Sequence, residues 1–185
     1  MSGDRPAILV TSERNTVLAR AVEALGRFPT TQPWVLIGGV AVFLRLGSIT
    51  RPTADADTIA RSQAELIRQL VADEITTVVT GGDLQIRIGD DVVEIDVMDL
   101  ADDPLPSDAE RRAFALARRF ALATAESERI IVTGGGGDVI VDEVIPVATI
   151  AALTALKTVA MVRRPHGNPS TQCRLRHSRP RPSRQ

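Results

Sequence analysis

Apolar and polar positions along this chain recur with two different periods, and each change of period marks a new element. From Ser12 to about Phe28, the residues Val17, Leu18, Ala21, Val22 and Leu25 fall at helical spacing, which predicts an amphipathic helix broken by Pro29 to Pro33. Trp34-Val35-Leu36-Ile37 is a short apolar run that reads as a buried strand, turning at Gly38-Gly39 into a helix over Val40 to Leu46 that Gly47 ends. Thr53 to Ala60 reads as a second strand. Ser62-Gln63-Ala64-Glu65 is a capping box, so a helix to about Ala72 follows. Thr76 to Thr80, Leu84 to Ile88 and Val92 to Met98 form a meander, with Gly81-Gly82-Asp83 and Gly89-Asp90-Asp91 as its turns. Ser107-Asp108-Ala109-Glu110 opens a helix through about Ala123. Ile130 to Thr133 and Asp138 to Val141 make a hairpin around four glycines, and a helix from Thr149 to about Arg163 closes the periodic part.

This order predicts an α+β fold: a mixed sheet flanked by helices, followed by a helical C-terminal part. The expected division is a core over residues 1–143, a C-terminal helix over 144–164 and a disordered basic tail over 165–185. The 185 residues, 44% hydrophobic and 24% charged, suffice for one domain with a real core. No apolar segment of secretory type follows Asp4 and Arg5. The single cysteine, Cys173, fits a reducing cytoplasm. Val144 to Val162 is the most membrane-like stretch. It contains Pro146 and Lys157, and a central Lys costs about 3 kcal/mol on insertion scales, so a buried helix of a soluble protein is expected.

Charge is unevenly placed. Eight of the 22 basic residues follow Glu143, the last acid, leaving 14 basic against all 23 acidic residues before it, a balance of −9. A basic end on an acidic body suits RNA phosphates. Aromatic content of 3% without Tyr argues against base-stacking platforms. Gly134 to Gly137 lack the Lys-Ser/Thr of a phosphate loop. His166, His177 and Cys173 match no zinc spacing.

The chemistry concentrates around the glycine pair. Asp55 and Asp57, at i and i+2 in an extended segment, point to one side of their strand and repel each other unless a cation sits between them. In Val92 to Met98, Val93, Ile95 and Val97 face one way and Glu94, Asp96 and Met98 the other, so Asp96 is an acid on an apolar strand. If the strands are neighbours, three carboxylates form a site for two divalent ions ~3.5–4 Å apart. Each part also has a plain reading: a tight turn at the glycines, solvated edge carboxylates, and a Lys157 that snorkels from an apolar helix.

Gly38-Gly39-Val40-Ala41, then Arg51-x-Thr53-x-Asp55-x-Asp57 and a later strand with Asp96, resembles the DNA polymerase β-type nucleotidyltransferase fold. Within it the wording resembles the AbiEii/AbiGii family, which includes the MenT-like toxins of toxin–antitoxin systems. The resemblance runs from Trp34 to about Arg164. It implies a nucleotidyltransferase using Mg2+ and NTP. Gly38 and Gly39 would bind the nucleotide phosphates, and Asp55, Asp57 and Asp96 the metal. Lys157 would neutralise the triphosphate, and Arg51 and Thr53 would flank it. Thr53 would also be a place for an inhibitory modification. The implied acceptor is the 3′ end of tRNA, and the implied partner a cognate antitoxin. Nucleotidylation of a small molecule or protein, or an impaired fold kept for binding, are the alternatives. From Pro169 onward the chain has no Asp or Glu and five Arg, and departs from the family pattern as if by a change of reading frame near Asn168.

Overall fold

The computed structural model describes residues 7–10, 16–46, 56–73, 77–80, 83–100 and 105–163. Its elements, in chain order, are β1 (Ala7–Val10), α1 (Thr16–Gly26), β2 (Trp34–Ile37), α2 (Gly38–Leu46), β3 (Ala56–Ala60), α3 (Gln63–Ala72), β4 (Thr77–Thr80), β5 (Asp83–Ile88), β6 (Asp91–Asp99), α4 (Ala109–Ala123), β7 (Glu126–Thr133), β8 (Val139–Val147) and α5 (Ile150–Arg163). The strands form one mixed sheet of order β1-β7-β8-β2-β3-β6-β5-β4. β3 runs antiparallel to β2 and parallel to β6, and β2 runs parallel to β8. The α+β class expected from the sequence is the one observed.

Two apolar layers hold the sheet. On one face, Leu18, Val22 and Leu25 of α1 and Leu66 and Leu70 of α3 pack on Ile86, Ile95, Ile130 and Ile145. The other face carries a smaller core in which Val35, Ile37 and Ile59 meet Ala117 and Ala121 of α4 and Ala152 and Leu156 of α5. All four residues of β2 are buried, as a strand covered on both faces requires. Val93, Ile95 and Val97 are buried while Glu94 and Asp96 are exposed, matching the alternation read along β6.

Several elements differ from their expected form. The helix after β2 starts at Gly38 itself rather than Val40. α4 is capped by Asp108, whose carboxylate accepts from the Arg111 N–H at 2.8 Å, instead of by Ser107. Ser62 caps α3 as expected, accepting from the Glu65 N–H. β1, pairing parallel with β7, has no counterpart in the sequence reading. β8 continues through Val147, so the sheet extends beyond residue 143, the end expected for the core, and the apolar stretch Val144 to Val162 divides between a strand and α5. Among the described residues no helix is long and apolar enough to cross a membrane. The tail over 165–185 lies outside the described residues.

Candidate active site

β2 runs directly into Gly38, the first residue of α2, which has φ +69, a backbone conformation that L side chains rarely adopt. Glycine is required here for a second reason. A Cβ on Gly38 would lie 2.8 Å from Cγ and 2.9 Å from Cβ of Asp57, so the Asp57 side chain occupies the space over this turn. Ile37 pairs directly with Asp57 across the antiparallel β2–β3 ladder, which brings the two together. The first turn of α2 contains no acid of its own, and its N–H groups have no helical partners. The partial positive charge of that helix end therefore lies beside the Asp57 carboxylate.

The parallel β3–β6 ladder puts Asp57 opposite Asp96. On β3, Ala56 and Ala60 join the α1/α3 core while Ile59 joins the α4/α5 core, so Asp57 faces the α4/α5 side. Asp96 shares that side with Met98, which packs against the same second core. Strands about 4.8 Å apart thus present two carboxylates side by side on one face. Below them Thr58 points the opposite way. It is fully buried, and its Oγ1 donates to the Asp96 carbonyl at 3.1 Å. Periodicity alone gave no reason to single out this threonine.

Two adjacent carboxylates over a helix N-terminus offer hard oxygen donors, a set that fits a divalent cation such as Mg2+. Among the described residues no group of three or more His, Cys, Asp or Glu side chains gathers in this way. Asp55, Arg51 and Thr53 lie outside the described residues.

Lys157 is exposed on α5 and lines a groove of about 270 Å3 between α2 and α5, together with Val42, Leu46, Leu153 and Thr154. It is the chain's only lysine among 22 basic residues. Val42, on the first turns of α2 beyond the glycines, shares this groove, so α2 connects the Gly38 turn to the wall that carries the amine. A larger cavity of about 500 Å3, bordered by Pro33, Arg61, Leu100 and Arg119, lies at the far end of β3. Arg61 lies four positions beyond Asp57, about 13 Å of extended chain, so the larger cavity is not where the carboxylates are.

No protein-family model and no curated protein sequence matches the chain. Solved structures similar to it include an antigenic nucleotidyltransferase-like protein from Paracoccidioides brasiliensis, at 16% identity and a TM-score of 0.41 over 89% of this chain and 82% of that one. The antibiotic-resistance factor ANT(2'')-Ia is similar at 15% identity and a TM-score of 0.36, over 82% and 76% of the two chains. Likeness at this level carries no weight for the chemistry, which rests on the residues themselves.

Proposed function

We propose that this protein is a metal-dependent nucleotidyltransferase of the DNA polymerase β-type fold. It would transfer a nucleotide from NTP to an acceptor hydroxyl. The observation that carries the reading is the in-register pair Asp57–Asp96 on adjacent parallel strands, with Asp57 lying over the positive-φ turn at Gly38. Either carboxylate alone would be an ordinary strand acid. Their pairing beside a glycine turn is what a metal–triphosphate complex needs.

Asp57 and Asp96, with Asp55 beside them in sequence, would hold Mg2+, which when bound neutralises phosphate charge and lowers the pKa of a coordinated hydroxyl. The backbone N–H groups of Gly38 and Gly39, which open α2 beside the Asp57 carboxylate, would receive the triphosphate. Lys157 would supply a point charge to the phosphates. The acceptor oxygen then attacks the α-phosphorus in line with the departing pyrophosphate. One P–O bond forms, one breaks, and the hydroxyl proton leaves to the carboxylate cluster or water. Positioning and charge neutralisation would supply most of the acceleration.

The finer reading, from the sequence resemblance, is a MenT-like toxin acting on the 3′ end of tRNA in the cytoplasm, with a cognate antitoxin. Its expected behaviour is direct: protein incubated with α-labelled NTPs, magnesium and total tRNA transfers label to RNA. Asp57→Asn and Asp96→Asn each lower that transfer at least a hundredfold, the scale of losing one group that stabilises developing charge. Label on protein instead of RNA would replace tRNA as the acceptor. Undiminished transfer in both variants would sink the reading.

A further inference from the structure

Arg45 stands in the last turn of α2, seven residues beyond Gly38 and about 10 Å along the same helix. Its side chain is only 13% exposed. Nη2 donates to the Val147 carbonyl at 2.9 Å and Nε to the Ala148 carbonyl at 3.0 Å, the two peptide groups at the corner where β8 gives way to α5. Nη1 pairs with Glu126 at 3.0 Å and with Glu128, both on β7. One planar guanidinium thus ties α2 to β7 and to the corner between β8 and α5. An ammonium could not span these directions at once.

The clamp has a consequence for the amine. α5 starts at this corner, and Lys157 sits seven residues after Ile150, again about 10 Å out. The same α2 whose first residue lies under Asp57 therefore fixes, at its other end, the direction in which Lys157 leaves the sheet. Resting on the nucleotide reading above, we infer that Arg45 is a positioning residue for Lys157, setting the amine's place relative to the carboxylates through the α2–α5 corner. Arg45 itself touches no reacting group. The acidic partners Glu126 and Glu128 balance its charge and keep the fork aimed at the two carbonyls.

The chain's single lysine makes this testable without relying on catalysis. Reductive methylation of the full-length protein with isotope-labelled formaldehyde gives one ε-amine signal by NMR, which Lys157→Met removes. In Arg45→Gln without nucleotide that signal shifts while the far-ultraviolet circular dichroism is retained. Binding of labelled NTP with magnesium weakens about tenfold in Arg45→Gln, the scale of a lost charge-assisted contact. The double variant Arg45→Gln/Lys157→Met binds no more weakly than Lys157→Met alone, because both changes act through one amine. Glu128→Gln loosens the clamp more gently and moves the signal in the same direction, which keeps the test sound should Arg45→Gln not fold. Additive losses in the double variant, or a signal unmoved in the clamp variants, overturn the inference. A wild type that binds no NTP and ignores Asp57→Asn overturns the nucleotide reading instead, and the Lys157 signal still decides whether Arg45 positions the amine.

Discussion

At Gly38 two independent constraints meet, the backbone angle and the Asp57 side chain above it. Alanine there must adopt a left-handed conformation at a cost of about 1–2 kcal/mol and must also push Asp57 aside. Gly38→Ala is therefore expected to fold with a lowered Tm and to lose magnesium-dependent NTP binding, measured by thermal melting and equilibrium dialysis. Thr58 gives a contrasting case. Thr58→Val keeps the shape but removes the hydroxyl that bonds the Asp96 carbonyl, so it should cost about 1 kcal/mol. That is a drop of roughly 2–4 °C in Tm for a chain of this size. An unchanged Tm would mean the bond contributes nothing to holding β3 on β6.

Elements with strong periodicity or a clear cap were readable before the structure: β2, β6, α3 and the two turns of the β5–β6 and β7–β8 hairpins. Their signals are local. β1 escaped because four apolar residues without alternation acquire meaning only from β7, far away in sequence. The end of β8 was hidden in a continuous apolar stretch, where strand and Ala-rich helix read alike. The pairing of Asp57 with Asp96 was anticipated only as a condition, since register between distant strands is not written in either one. Arg45 gave no signal, because its four partners all lie more than eighty residues further on. Glu143 on β8 is the element-scale test. Its carboxyl packs against Gly26 of α1, and burial first, then Asp142 and Glu23, raise its pKa against the opposing pull of Arg27. The folded chain thus holds this proton more tightly than the unfolded chain, so the group's contribution to stability falls as pH rises from the ordinary carboxylate value through the raised one. Glu143→Gln should melt close to wild type near about pH 4 and slightly higher than wild type at neutral pH. Equal melting temperatures at both would refute the α1–β8 burial cost.

For the whole molecule, the sheet has two parts joined at β2. Strands β2 to β6 and their helices come from residues 34–99, while β1, β7 and β8 close on β2 through the single register pair Leu36–Val147. Trp34, the only tryptophan in a chain without tyrosine, is buried on β2 with its ring edge-on to Phe28 at 4.8 Å. Its emission consequently reports α1 docking on the sheet. Refolding followed by that emission should take milliseconds to seconds, the range of folds dominated by non-local strand pairing. A microsecond phase accounting for the whole change would contradict the topology. The thin joint at β2 also sets an order of events during synthesis. The strands bearing Asp57 and Asp96 can pair once β6 has emerged from the ribosome, but the corner held by Arg45 and the lone amine of α5 arrive some fifty residues later. A nascent chain thus aligns its paired carboxylates on β3 and β6 long before α5 can dock beside α2.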